Sequence, residues 1–372
     1  MTFVASQGRR ARILLLYADA AEGRLLSYWA GWPRHFVSSP LFETIALNVG
    51  HAGWWPRLRN MVTALTSSCD GIVVLHSVYS NQRHLGARLA RVLAAMDKPT
   101  AIFLANEYKL MPDKMAFCEE LGVDLLVSQS HSPAIHQLYE ERLKCRVMFL
   151  PNGGLDEDVF KPEIEWTERP IDVGFRAYEV PWYLGHDEKT DLARAAVPAA
   201  ARAGLVADVS TDPKDRFDER GWAKFLNRCK AVLGAEAGTD YFELTDRTRE
   251  VVNAFVAANP QATRDEVIAR FFQNYENPVS GRMLASRHIE AGGTKTLQLL
   301  IEGEYGGVLR PDVHYVPLAR DLSNLPHALE KIRDTAYCQG IIERTYAVVR
   351  ADFTYAKLIE RFFHQFAQLM AR

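Results

Sequence analysis

The sequence predicts an α/β protein built from two doubly wound domains facing each other across a cleft, each with a mainly parallel sheet. Three observations carry that expectation. Short apolar runs alternate with longer amphipathic stretches through the first half of the chain, the pattern of successive βα units. A turn-forming Pro151-Asn152-Gly153-Gly154 closes that series, and a second series opens with IDVGFRA at 171–177. The chain has 372 residues, longer than one hydrophobic core usually grows, so two domains are the default.

In chain order, the apolar runs place strands at 12–17, 44–47, 71–76, 100–104, 125–127 and 147–150, with amphipathic helices at 55–67, 83–96, 113–121 and 133–143. These make up a first domain, 1–152. A second domain, 153–350, draws further strands from IDVGFRA, ADVST, AVLGAEAG, TLQLLI and HYVPL. Its alternation is broken by an all-helical insertion at about 245–277, where Thr263-Arg264-Asp265-Glu266 reads as a capping box before VIARFF. From 327 onward the pattern is helical, with apolar positions around Leu358, Phe362, Phe366 and Met370. The last stretch, 351–372, is a helix for which packing back on the first domain is one arrangement.

The charge balance, 44 basic against 46 acidic residues for a net −2, argues against a nucleic-acid-binding surface but leaves room for a local basic pocket. Cys69, Cys118, Cys145, Cys229 and Cys338 are scattered, odd in number and without a Cys-x-x-Cys pair. A disulfide framework or zinc site is not expected, and a reducing cytoplasm is the natural compartment. Arg9, Arg10 and Arg12 before ILLLYADAA imitate a signal peptide, but Asp19 interrupts the apolar run, which reads better as a buried first strand. No run of about 18 apolar residues is present, so no membrane span is expected; peripheral membrane contact stays open. His-Glu-x-x-His, Gly-x-Ser-x-Gly and phosphate-loop motifs are missing. Gly31, Gly50 and Gly53 follow strands without forming a dinucleotide fingerprint.

The most informative stretch is 286–324, SRHIEAGGTKTLQLLIEGEYGGVLRPDVHYVPLARDLSN. It sets Glu290 two residues before Gly292-Gly293, where backbone N–H groups can approach a ligand without a Cβ in the way. Helix ends and glycine-rich turns attract anions, so a diphosphate carrying a ribose would use both features. An ordinary helix–glycine–strand connection has the same appearance.

With LFETIALNV, DGIVVLHS, FLANEYKLMPDKMAFCEELGVDLLVSQ and FLPNGGLDEDVFKP in the first half, and IDVGFRA, WAKFLNRCKAVLGAEAGTDYFE and the 286–324 segment in the second, the chain resembles glycosyltransferases of the GT-B fold, of the kind found in bacterial polysaccharide and glycan clusters. The resemblance spans nearly the whole length and rests on the order of individually weak pieces. It implies two Rossmann-like domains and transfer of a sugar from a nucleoside-diphosphate donor to a glycan or small-molecule acceptor. The donor sits mostly in the second domain, and neither metal nor separate cofactor is involved. Glu290 and Thr294, flanking Gly292 and Gly293, fall in the donor segment, with Glu290 at the ribose; Arg176, Lys189 and Arg287 are the basic groups available to a leaving diphosphate. Retaining members carry another Glu eight positions earlier; here that position is Arg282, which leaves sugar reading vacant. Glu236 and Gly238 in AEAGTD supply sugar or phosphate contacts, or Glu236 is a strand-end capping or ion-pairing residue.

His76 closes the third strand, either toward the transferred sugar or as a satisfied structural histidine. Glu107 follows the fourth strand, either as base for an acceptor hydroxyl or in a local ion pair with Lys109. Asp156-Glu157-Asp158 has the spacing of a metal-binding acidic motif, but its place after the interdomain turn favours a solvated acidic turn. Tyr28, Trp29, Trp32, Trp54 and Trp55 form a stacking platform for sugars or simply core. The rival readings are a nucleotide-sugar epimerase or phosphorylase of the same fold, and a nucleotide- or glycan-binding module without catalysis.

Overall fold

The computed structural model describes residues 10–19, 26–51, 53–277 and 279–371. Arg9, and Ala20 and Ala21 at the end of the first apolar run, lie outside the described residues. The chain divides into two compact units, Met1–Gly153 with Glu243–Asp246 and Tyr355–Arg372, and Gly154–Phe242 with Arg247–Thr354.

The N-terminal unit is built on six parallel strands, β1 (Ala11–Tyr17), β2 (Phe42–Asn48), β3 (Gly71–Val74), β4 (Thr100–Phe103), β5 (Leu125–Ser128) and β6 (Arg146–Phe149), in the order β2-β1-β3-β4-β5-β6. All residues of β3, β4 and β5 are buried, which is why these strands read as unbroken apolar runs. The strand order reverses between β1 and β3, so the carboxyl ends of these two strands flank the unit's topological switch point.

Its helices are α1 (Ser27–Ser38), α2 (Trp54–Thr66), α3 (Ala87–Ala94), α4 (Met111–Glu120) and α5 (Pro133–Leu143). Gly31 and Pro33 disguise α1 in the sequence. The reason for Gly31 is distant: a Cβ there would sit 2.2 Å from the hydroxyl of Tyr355, the first residue of α13 (Tyr355–Met370). Phe362 of α13 then packs among Phe36, Phe42 and Phe103. The helix expected over 83–96 is shorter, because Arg83 forms a bridge with Tyr79 and ion-pairs with Glu120 before α3 begins. At the start of α4, Leu110 has φ of 56° and caps nothing with its side chain; the Asp246 carboxylate accepts the N–H groups of Leu110 and Met111 instead. An acidic cap of this kind serves both the unpaired amides and the helix dipole.

The C-terminal unit holds a five-stranded parallel sheet of β7 (Ile171–Arg176), β8 (Ala207–Ser210), β9 (Cys229–Gly234), β12 (Leu297–Ile301) and β13 (Val316–Leu318). The order is β13-β12-β9-β7-β8, which puts the switch point between β7 and β9. Helices α6 (Glu188–Arg202) and α7 (Glu219–Arg228) flank these strands, and α10 (Ser286–Gly293) precedes β12. Val173, Leu192, Leu233, Leu299 and Ile341 centre the core. An antiparallel ribbon, β10 (Ala237–Thr239) with β11 (Gly281–Met283), brackets helices α8 (Arg247–Ala258) and α9 (Arg264–Phe271). The Thr263 hydroxyl accepts from Glu266 N–H while the Glu266 carboxylate accepts from Thr263 N–H, a reciprocal capping box at α9. The chain continues through α11 (Leu325–Glu330) and α12 (Thr335–Asp352). Among the described residues no helix is long and apolar enough to cross a membrane.

Candidate functional site

The carboxyl ends of β7 and β9 meet the start of α10 around a small pocket of about 10 Å³ lined by Phe175, Arg176, Trp222, Arg287, His288 and Gln298, with Val232, Leu233 and Leu300 behind them. The first turn of α10 carries no acidic residue, and its N-cap, Ala285, provides no side-chain cap. Arg287 extends from that turn, and its Nη1 donates to the carbonyl of Arg176 at 2.9 Å. A helix start with no acidic residue in its own first turn, with a guanidinium beside it, favours an anion.

Lys189, in the first turn of α6, does not line this pocket but is near enough to Arg287 for the two charges to act on each other. Among the described residues no carboxylate lies within 4.0 Å of its ammonium, although Glu188 precedes it. Glu188 is committed elsewhere, to a bidentate pair with Arg282 at 2.6 and 3.0 Å. Burial, then the charges of Arg287 and Arg282, push Lys189 down to about 7. It is therefore a lysine that an incoming anion would recharge.

Glu290 is 2% exposed, and one carboxylate oxygen accepts the indole N–H of Trp222 at 2.8 Å. Trp222 in turn stacks on Phe225, with ring centroids 5.5 Å apart. His288 is buried and stays neutral, desolvation holding it at about 3. The Gln298 amide nitrogen donates to the His288 carbonyl, so its oxygen faces His288 Nδ1 at 3.1 Å, and that nitrogen carries the proton.

Several other expected ligand contacts are taken by the protein itself. Arg176 pairs with Asp208 at 2.7 Å, donates to the carbonyls of Phe175, Asp208 and Asp215, and lies 4.4 Å over the Phe225 ring. Its guanidinium is a wall of the pocket, not a free phosphate clamp. Gly292 and Gly293 close the carboxyl end of α10, away from its anion-attracting end. A Cβ on Gly292 would come within 2.8 Å of Val349, and one on Gly293 within 2.2 Å of Leu155 and 2.9 Å of the Phe160 carbonyl. Close packing explains both glycines. Thr294 is fully buried, its hydroxyl donating back to the α10 carbonyls while its own carbonyl accepts from Arg169.

Glu236 accepts the Tyr305 N–H at 2.7 Å, where Tyr305, Gly306 and Gly307 have φ of 44°, 68° and 71°. The amides of this glycine-rich turn thus meet an internal carboxylate, and capping is the role of Glu236. Gly238, at φ +92°, lies so close to β11 that a Cβ would stand 2.0 Å from the Gly281 carbonyl. Arg282, at the position where a sugar-reading Glu was sought, pairs with Glu188 and with Asp240 at 2.6 Å. The local carboxylates therefore arrive from α6 and from the loop after β10.

In the N-terminal unit, His76 sits just past β3 at the switch point. Its Nε2 and the indole N–H of Trp32 both reach the carbonyl of Asn152, at 3.0 and 2.9 Å, which fastens the Pro-Asn-Gly-Gly turn. Nδ1 is buried without a partner, and desolvation lowers the ring to about 4, so His76 is neutral and a weak base. Glu107 is fully buried and accepts from Ser128 Oγ, Tyr139 Oη and Gln129 N–H at 2.7, 2.7 and 2.5 Å. The nearby cation is Lys114, not Lys109: burial lowers Lys114 to about 7, the Glu107 charge opposes that, and its ammonium donates to the carbonyls of Ala105 and Asn106. Glu107 is thus a structural hub and not an exposed base.

Asp156 is also buried, accepting the Asp158 N–H, while Glu157 pairs with Arg350, so the acidic triplet is only partly solvated. Trp32 is core, whereas Trp54 and Trp55 are 70% and 64% exposed.

No protein-family model matches the chain, and no curated protein matches it. Solved structures do. Sucrose-phosphate synthase from Thermosynechococcus elongatus superposes with a TM-score of 0.56 at 11% identity, covering 97% of this chain and 100% of that one. An α-glucosyltransferase in complex with UDP and a DNA containing an HMU base gives 0.54 at 9% identity, over 96% and 100% of the two chains. Anabaena HepE, in complex with UDP and glucose, gives 0.52 at 10%, over 97% and 100%. With two parallel-sheet Rossmann-like units in sequence, the chain has the GT-B fold.

Proposed function

We propose that the protein is a glycosyltransferase that moves a sugar from a nucleoside diphosphate to a hydroxyl of a glycan or small-molecule acceptor, without a metal ion. The observation that carries this reading is Lys189, half-buried, without a carboxylate partner among the described residues and lowered to about 7 by burial and by Arg287 and Arg282, in the unit whose α10 starts with no acidic residue and no side-chain cap. Such a group is costly to the folded protein alone and becomes favourable when an anion supplies the missing charge. The complexes of the α-glucosyltransferase and of Anabaena HepE contain UDP, which supports a nucleoside diphosphate as that anion.

In the transfer, the bond from the anomeric carbon to the β-phosphate oxygen breaks and its electron pair stays on the diphosphate, while the acceptor oxygen bonds to the anomeric carbon and gives up its proton to the departing phosphate oxygen or to water. Negative charge grows on the leaving group, and Lys189, Arg287 and the first amides of α10 are the groups that stabilise it. Glu290, steadied by the Trp222 indole, accepts from the ribose hydroxyls. Neither Glu107 nor His76 is proposed as the base that takes the acceptor proton: the first is saturated with donors and the second fastens the Asn152 turn.

The test is a thermal-shift and turnover panel of nucleoside diphosphates and their sugars. A ligand-dependent rise in melting temperature together with release of nucleoside diphosphate is expected. Interconversion of the donor alone would instead mark an epimerase, and a shift without turnover a binding module. Silence across the panel would defeat the proposal.

A further inference from the structure

Helix α2 turns an apolar face to solvent. Trp54, Trp55, Leu58, Val62 and Leu65 are 70%, 64%, 44%, 50% and 66% exposed, while Asn60 and Ala64 face inward and are buried. At 3.6 residues per turn these five side chains fall in a sector of about 100°. Arg57 borders one edge of the sector and Arg59 the other, and the helix contains no Asp or Glu. The two indoles stack on each other, centroids 4.5 Å apart and 15° from parallel. Beside the Arg57 edge runs a groove of about 810 Å³ between α2 and α3, lined by Leu58, Met61 and Leu89 and by Arg57, Arg88 and Arg91. Among the described residues Arg57, Arg59, Arg88 and Arg91 have no carboxylate within ion-pair distance.

We propose that this face is a membrane-docking surface: α2 lies in the headgroup region of an anionic bilayer, with the tryptophan–leucine stripe in the acyl boundary and the arginines on lipid phosphates. An apolar stripe carrying Trp and edged by basic residues is the pattern of an interfacial helix. Charge complementarity selects the occupant. A second copy docked about a two-fold axis would bring the same patch against itself, and four unpaired arginines would then face four more with no acidic group on either helix. An anionic surface meets every one of them. The proposal does not depend on the donor site of the C-terminal unit.

The experiment is co-sedimentation of the full chain with phosphatidylcholine vesicles, with and without phosphatidylglycerol. Binding should require phosphatidylglycerol, weaken with salt, and fall by about fivefold per arginine in Arg57→Gln and Arg59→Gln. The double substitution Trp54→Ser with Trp55→Ser should reduce it at least as much, with an unchanged far-ultraviolet circular dichroism spectrum because neither indole is in the core. Brominated phospholipids should quench the tryptophan fluorescence of the unaltered protein, a measurement that needs no variant. Absence of quenching, or vesicle binding that the substitutions leave unchanged, would overturn the proposal. So would a vesicle-free dimer in sedimentation velocity that the tryptophan substitutions dissolve, since the stripe would then belong to a second copy.

Discussion

Lys189 offers the sharpest test of the proposed donor site, because its depressed proton affinity would tie ligand binding to pH. In the ligand-free protein the lysine titrates at about 7 against an ordinary 10.5, first through burial and then through Arg287 and Arg282. A bound diphosphate favours the ammonium and moves its titration back up. Binding above about pH 7 must therefore take up a proton, and affinity should fall by up to tenfold for each further pH unit. Between about pH 7 and about pH 9 the loss should approach 100-fold. The phosphate itself titrates at about 6 and so lies below this window. The assay is isothermal titration of UDP in two buffers of different ionisation enthalpy near about pH 8, where uptake should be about one proton per ligand. Lys189→Met should bind more weakly at neutral pH and show neither the slope nor the uptake. A flat profile in the wild type, or the same slope in Lys189→Met, would refute the assignment.

Glu290→Ala should raise the donor Kd or KM about tenfold, the worth of one or two hydrogen bonds to a charged acceptor, and titration calorimetry checks it; an unchanged donor affinity removes Glu290 from the ribose. Gly293→Ala, which drives a methyl against Leu155 and the Phe160 carbonyl, should cost about 1–3 kcal/mol in urea unfolding, with nucleotide affinity intact well below the transition. Arg282→Ala strips a buried bidentate partner from Glu188 and should destabilise by about 3–5 kcal/mol. Glu107→Gln should lower the melting temperature while leaving turnover at low temperature within a few-fold; a collapse of turnover without loss of stability would restore its role as base.

Strands were the most legible part of the chain. Runs such as GIVV at β3 or LQLLI at β12 are buried on both faces, so burial alone writes them as apolar words. The Thr263–Glu266 capping box was legible for a similar reason, since both partners lie within one helical turn. Helix α1 was not, because Gly31 answers to Tyr355 at the far end of the sequence. At the candidate site, Arg176, Lys189, Arg287 and Glu290 were singled out as what the resemblance to GT-B enzymes implies. Only the three-dimensional contacts separate Arg176, spent on Asp208 and Phe225, from Lys189, which has no such partner among the described residues. The pairing of Arg282 with Glu188 spans 94 positions and leaves no local pattern; Trp222 stood inside a recognised segment, yet nothing in the sequence joined it to Glu290.

By itself, then, the sequence determined the two parallel-sheet units, the turn at Pro151–Gly154 and the neighbourhood of the 286–324 segment, because strand burial, turn chemistry and helix periodicity act over a few residues. Tertiary structure decided what each polar side chain does. A carboxylate or guanidinium is available to a ligand only when no other segment has already paired with it, and the partners that spend Glu107, Glu236 and Arg176, or leave Lys189 unspent, come together only when the chain has folded.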